Sequence, residues 1–560
     1  MKWKKTAAYA ITAVLMSGML AGCMTKGSGS EAAPKATLKD GKYDPVLTIT
    51  TAKQLDENAG KYLNGESLND NVMTRWGVEK LGIKIETTLL GGDAGNYNTK
   101  LRLALTGSEK LPDLIPVYDT SLASDLIQSG QVRDITEDIK NFMPDRLKEI
   151  YKQYPTTFNP VIQDGIVYGM AISPNLTEGE VMLIRQDWLD KLNLKAPTTI
   201  DEFEKVIAAF TNNDPDGNGK KDTYGFDFSG KDSYNTGWVS DPVMIFSAYT
   251  GKSLPGQWYN DNGKLTYGSV AEGNKEALAK LRDWYSKGYL NKELATQGAW
   301  DALADFTEGK AGIIIGRPWL YGSVKDVEKN IPGAKIAAYP TIKGVKEATT
   351  YQSGQLNDGV FMFNKDFNNM EAFFLYYDKL YDAAFGTGDF KYGFAKGYDY
   401  DIVDGKVVFD SAHFNQPLQN APSPSKMLFT KNAPTVSEAG KTYYDLANGT
   451  KPDTGPLMSA AAADQTTKNG YVISYENRDA LLPNAFNGPP TKTMQSSWEQ
   501  LTTMEKETFT KIIYSKEPLE AYDDFVKQWH EKGGTQITEE VNDWYRQANE
   551  TDVMSSMGLK

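Results

Sequence analysis

The chain has 560 residues, 40% hydrophobic and 24% charged, with a formal net charge of −13. That length predicts two to four compact units, and an acidic chain without a concentrated basic face excludes a nucleic-acid binder. One cysteine excludes an intrachain disulfide. The only histidines are His413, in a loop, and His530, near a helix C-terminus. With no HExxH or CxxC, the usual zinc spacings are absent. No GxSxG, GxxxxGK[ST] or GxGxxG signals a nucleophile elbow or a phosphate cradle.

The first elements lie at the N-terminus. Lys2, Lys4 and Lys5 precede an uncharged run, Thr6 to Gly22, that is short for a membrane span. The run ends in Leu20-Ala21-Gly22-Cys23, which resembles a bacterial lipobox. That pattern implies a signal peptide at 1–22, cleavage before Cys23 and a diacylglycerol on its sulfur. The cleaved chain would lose three lysines and carry −16. Residues 23–42 read as a lipid-anchored, flexible linker. The protein is then expected on the outer face of a cell membrane, held by lipid alone and not spanning it.

Further along, "PVLTIT" reads as a strand, "NVMTRWGVEKLG" as a helix, "IKIETTLL" as a strand, "YNTKLRLALTGS" as a helix and "DLIPV" as a strand. This alternation predicts an α/β fold with a parallel sheet, whose ligands sit at the carboxyl ends of strands. Tyr118 and Asp119 follow "DLIPV" directly and occupy that place. Thr199 and Glu202 fit a capping box, and Phe203, Val206, Ile207 and Phe210 form one helical stripe behind it. "KAGIIIGRPWLYG" predicts a strand ending in a Gly-Arg-Pro-Trp turn, and "GVFMFNKDFNNMEAFFLYYDKLYD" a strand and a long helix. Few elements are legible between about 391 and 470. Near the end, Tyr522, Phe525, Val526 and Trp529 share a face, Gly533 and Gly534 stop that helix, and Ile537, Val541, Trp544 and Tyr545 form another stripe. Trp188, Trp284, Trp529 and Trp544 read as core.

Oxygen-bearing side chains recur at alternate positions in "NNDPDGNGKKDTYG". Against an EF-hand loop, Asp214, Asp216 and Asn218 fall at positions 1, 3 and 5, Gly219 at 6, the Lys220 carbonyl at 7 and Asp222 at 9. Hard oxygen donors in that pattern suit Ca2+ and not a transition metal. Position 12 is Gly225 instead of a glutamate, and a strand, not a helix, follows. The loop is half an EF-hand, expected to hold a structural ion away from the ligand. An ion-free Asp/Gly/Asn turn is the alternative.

The segment "GIKIETTLLGGDAGNYNTKLRLALTGSEKLPDLIPVYDTSLASDLIQSGQVRDIT" resembles the first lobe of carbohydrate-binding proteins of bacterial ABC importers. "DGIVYGMAI" resembles that family's first hinge crossing, "EGKAGIIIGRPWL" its Gly-Pro-Trp turn, and "YPTIKG" with "GVFMFNKDFNNMEAFFLYY" its return crossing. "KGGTQITEEVNDWYRQ" and the Asp/Asn-rich loop are similar to the long, lipid-anchored LplA-like subfamily, related to alginate-oligosaccharide and maltose binders. The resemblance implies a two-lobe, type II periplasmic-binding-protein-like α/β fold with a hinge. Its lobes would comprise residues 43–167 with about 358–430, and 168–357 with about 431–560.

The resemblance also implies the function. The chain is expected to be a monomeric, non-enzymatic substrate-binding lipoprotein, on a Gram-positive cell, that delivers an oligosaccharide to ABC permease subunits. It places a sugar-stacking tryptophan at Trp319, an acid for sugar hydroxyls at Asp119 beside Tyr118, and a second-lobe contact at Trp238. Arg317 departs from the family's usual residue and would pair with a uronate carboxylate or with a neighbouring aspartate. Trp76, Tyr351 and Asn484 are candidates from loop placement alone. A surface glycosidase using two carboxylates, or a binder of peptides or other solutes on the same fold, remains open.

Overall fold

The computed structural model describes residues 35–55, 62, 65–107, 110–174, 178–232, 234–345, 351–352, 358–414, 423–435, 439–550 and 553–560. The signal-like run and Cys23 lie outside the described residues. The end of the expected flexible linker is ordered differently. Thr37–Lys39 pairs antiparallel with Lys42–Asp44, and Tyr43 is buried in the first lobe's core.

Two sheets organise the chain. The first runs in the order Ile83–Gly91, Leu47–Gln54, Leu114–Val117, Val360–Phe363, Gly169–Ala171. Leu47–Gln54 is parallel to both of its neighbours, and Val360–Phe363 is antiparallel to both of its own. The second runs Tyr224–Phe226, Ala311–Gly316, Val181–Arg185, Ile336–Tyr339. Only its first pair is parallel. Every residue of Leu114–Val117, Val181–Arg185 and Ala311–Gly316 is buried, as continuous apolar strands covered on both faces require.

Each sheet carries its own core. Phe361, Phe373, Tyr377 and Phe429 pack on the first, while Trp188, Phe203, Phe210 and Trp284 pack on the second. The predicted stripe of helix Ile200–Asn212 faces inward at all four positions. Its capping box forms only in part. Thr199 Oγ1 accepts from Glu202 N at 3.3 Å, but the Glu202 carboxylate reaches one residue further back, to Thr198 N and Oγ1 at 2.8 and 2.7 Å.

The chain crosses between lobes after Ala171 and again after Tyr339. The later return, from Phe429 in the first core to helix Lys492–Ile513 in the second, lies beside the second crossing, because Tyr351–Gln352 pairs with Leu481–Leu482. Gly533, at φ 126°, breaks the helical path between Ala521–Trp529 and Thr535–Glu550, a conformation that only glycine adopts cheaply. The last residues do not stay with the second lobe. Val553, Met557 and Leu559 are buried in the first core, because they are the apolar positions of the terminal turn.

Residues 391–470 hold more structure than their periodicity shows. Helices Ala439–Ala447, Gly455–Ala462 and Gln465–Glu476 form there. Gly440 sits against Tyr475, and Tyr443 stacks on Tyr471 at 4.4 Å and 6°. Glycine and tyrosine make this contact, so no aliphatic stripe marks it. Among the described residues no helix is long and apolar enough to cross a membrane.

A buried acid sets a pH dependence. Glu505 lies in the second core and accepts from Tyr267 Oη at 2.9 Å and Ser269 Oγ at 2.8 Å. Burial outweighs those bonds and pushes its pKa up to about 7. A carboxyl raised on folding favours the folded state at low pH, and that contribution is lost as pH rises from about 4.5 through about 7. Glu505→Gln should therefore flatten the decline in melting temperature between about pH 5 and 8, removing a term on the order of 3 kcal/mol. Parallel pH profiles for the two proteins would refute this.

Candidate functional site

A cleft of about 1400 Å³ opens between the two sheets. The first lobe contributes Tyr118 and Asp119, at the carboxyl end of Leu114–Val117 as predicted. Asp119 caps helix Thr120–Gln128, its Oδ1 accepting from Leu122 N at 2.8 Å. Its other oxygen receives Asn98 Nδ2 at 3.4 Å, and Arg102 stands 3.9 Å from Oδ1. Tyr118 Oη accepts from Lys431 N at 3.0 Å, and burial raises its pKa.

The second lobe contributes an aromatic wall. Trp319 opens a short turn after Ala311–Gly316 and is 38% exposed. Trp238 stacks beside it, with centroids 6.1 Å apart at 23°, and meets Trp300 edge-on at 5.3 Å. The loop that carries Trp238 is built on Asp241. This fully buried carboxylate accepts from Thr236 N (3.0 Å), Thr236 Oγ1 (2.9 Å), Gly237 N (2.9 Å) and Val243 N (3.1 Å).

Arg317 ties the two turns together. Its Nε donates to the Gly237 carbonyl at 3.0 Å, Nη2 donates to the same oxygen, and its backbone N–H donates to Trp238 O at 3.1 Å. It touches the cleft wall but is only 2% exposed. Burial raises the pKa of the neighbouring Glu180 carboxyl, Asp241 raises it further, and Arg317 opposes both. The side-chain bonds described for Arg317 go to the Gly237 carbonyl, with the Glu180, Glu178 and Asp241 carboxylates acting on it electrostatically.

Asn484 lines the cleft, but its Oδ1 is used by Trp258 N at 2.9 Å and Phe486 N at 3.3 Å. Trp76 is absent from the cleft lining. Its ring packs on Tyr376 and Phe390, and its Nε1 donates to Asp389 at 3.2 Å, so its loop-side position belongs to the first lobe's core. Tyr351 stands in the paired crossing strand, and its side chain lies outside the described residues. Sequence reasoning passed over Gln257, Trp258, Phe486 and Trp498, which also line the cleft. Trp498 was hidden by its spacing. The signal was the opposite of a cleft position: four residues after Met494 and three before Leu501, it falls on the buried stripe of helix Lys492–Ile513, and it also packs edge-on against Tyr267.

The Asp/Asn-rich loop follows helix Ile200–Asn212, remote from the cleft lining. Gly219 N donates to Asp214 Oδ2 at 3.1 Å, and Lys220 N to Asn218 Oδ1 at 2.7 Å. The Asn218 amide donates to Asp216 at 2.6 Å and to Asp222 at 3.1 Å, so both carboxylates converge on one point. Desolvation, then the Asp214 and Asp222 carboxylates, raise the Asp216 pKa. This crowded set of hard oxygens fits a calcium ion chemically. Among the described residues, however, no group of three or more His, Cys, Asp or Glu side chains is already arranged to hold a metal.

A family model described as bacterial extracellular solute-binding protein matches residues 59–384. The polygalacturonan/rhamnogalacturonan-binding protein YtcQ of Bacillus subtilis is 23% identical over 464 residues, covering 80% of this chain and 83% of that one. Two solved structures share the fold. Alginate-binding protein AlgQ2, solved without calcium ion, has a TM-score of 0.58 at 19% identity, covering 90% of this chain and 98% of its own. The S. pneumoniae ABC-transporter substrate-binding protein FusA, an EF-hand mutant in complex with fructo-nystose, has a TM-score of 0.58 at 17% identity, covering 90% and 100%.

The Asp241 knot predicts a stability effect. Asp241→Ala strands three buried backbone donors and should cost about 3 kcal/mol or more. Asp241→Asn, which keeps one acceptor oxygen, should cost less. Urea unfolding of the three proteins checks the order, and an alanine variant as stable as the parent would contradict it.

Proposed function

Because the chain belongs to the bacterial extracellular solute-binding proteins, we propose that it captures an oligosaccharide between its lobes for an ABC importer. What supports this reading is one juxtaposition. Tyr118 and Asp119, from the end of a first-lobe strand, share a single cleft with Trp238 and Trp319, from the second lobe. Indole faces suit the CH faces of sugar rings, and carboxylate, amide and hydroxyl groups suit their hydroxyls. A ligand that touches both lobes favours the closed form by its differential contacts, and closure needs nothing else. Cys23, in its lipobox-like setting, would carry the anchor that keeps the protein at the outer membrane face.

The test is calorimetric. An oligosaccharide panel should yield a ligand that is recovered unhydrolysed. Trp319→Ala should then weaken its binding about tenfold or more, roughly 1.4 kcal/mol. Unchanged affinity would remove Trp319 from the site, and hydrolysed sugar would favour a glycosidase.

We propose also that the loop bearing Asp214, Asp216, Asn218, Lys220 and Asp222 takes a structural Ca2+. The carboxylates that crowd Asp216 repel one another, and a divalent cation relieves that repulsion. An ion bound only by the folded state stabilises it by mass action, about 2.7 kcal/mol at a hundredfold excess over Kd. Chelation with EGTA should lower the melting temperature by several degrees, and Asp216→Ala should abolish that response. Identical melts with and without EGTA would count against the ion.

A further inference from the structure

Accepting the oligosaccharide reading, we propose that the cleft takes an uncharged oligosaccharide and discriminates against polyuronates. The inference comes from the charges that line it. Among the described lining residues Asp119, Glu178 and Glu499 are acidic, Arg317 is the one cation, and there is no lysine or histidine. Three carboxylates against one guanidinium leave a net of −2 at the wall.

That guanidinium is already engaged. Arg317 donates to the Gly237 carbonyl and lies within the fields of Glu180, Glu178 and Asp241, in that order of strength. At 2% exposure it cannot turn to a ligand carboxylate without giving up its bonds to the Gly237 carbonyl, and the Arg317 charge that opposes the raised Glu180 pKa would move away with it. Undoing the hydrogen bonds of a buried charged group is costly.

Among the described residues two further cations stand beside the first-lobe cleft residues. Arg102 pairs with Asp125 at 3.0 Å and approaches Asp119 at 3.9 Å. The Lys431 ammonium lies over the Tyr118 ring, 5.7 Å from its centroid, and the Asp358 carboxylate also acts on that tyrosine. Glu178, inside the cleft, faces the stacked Tyr443 and Tyr471, whose pKa values burial raises first and Glu178 raises further. A uronate in this space would meet like charge at each end and find no free bidentate partner. A neutral sugar would instead donate its hydroxyls to the same carboxylates and lay its rings on Trp319 and Trp238. Although YtcQ and AlgQ2 are named for uronate polymers, this wall is built for a ligand without carboxylates.

The experiment is a calorimetric comparison on the full folded protein. The probes are neutral malto-, fructo-, xylo- and galacto-oligosaccharides, then oligogalacturonates, oligoalginates and glucosamine oligomers, at ~20 mM and ~200 mM salt, a range over which screening changes markedly. A neutral probe should bind, with less than a twofold change across that salt range. Oligouronates should bind at least a hundredfold more weakly than the best neutral probe. The paired substitutions Glu178→Gln and Glu499→Gln should narrow that gap by about tenfold, a readout that a merely structural role for these acids would not move. An oligouronate within tenfold of the best neutral sugar, or a glucosamine oligomer tighter than it, would overturn the proposal. Silence from every probe would overturn the oligosaccharide reading itself.

Discussion

Asp241 is fully buried and collects backbone and hydroxyl donors from Thr236, Gly237 and Val243. Those bonds shape the turn that presents Trp238. Arg317 then fastens that turn to the one bearing Trp319 through the Gly237 carbonyl. Burying charges is costly unless they are hydrogen-bonded or balanced, and here Asp241 is met by backbone donors, Arg317 by the Gly237 carbonyl, and the Arg317 charge opposes the rise in the Glu180 pKa. Two tryptophans on loops thereby gain the rigidity of a sheet, which a stacking surface needs if ligand binding is not to be spent on ordering side chains.

The first lobe solves the same problem with less. Asp119 is fixed because it caps a helix, and Tyr118 because Lys431 N–H reaches its hydroxyl. These groups lie at the carboxyl end of a parallel strand, where the chain leaves the sheet and is free to carry function. The two halves of the wall therefore reach the cleft by different routes, one through helix capping and one through a buried charge cluster. Between them two crossing segments run side by side, Tyr351–Gln352 pairing with Leu481–Leu482.

Much of the secondary structure was legible because it is written in short-range signals. The Thr199 cap, the Phe203-to-Phe210 stripe and the Gly533 break each act within a few residues of their own position. The helices between 439 and 476 escaped because they meet through Gly440 and through tyrosines, which leave no aliphatic period. At the cleft, Trp76 and Trp498 exchanged roles. Trp76 looked like a loop aromatic but packs on Tyr376, some three hundred positions away, whereas Trp498 sits in a helix yet faces the cleft. Neither outcome depends on neighbours in sequence.

By itself the sequence determined the α/β elements, the caps and stripes that seat them, and the acids and indoles available to a sugar, because those follow from residue type and local spacing. Tertiary structure alone decided which of these groups share the cleft and which are already spoken for. Arg317 reads in the chain as a cation for either a uronate or a neighbouring aspartate, and in the fold its guanidinium donates to the Gly237 carbonyl. Charge neutralisation in a buried site is a property of distances between remote segments, and those exist only once both lobes have folded.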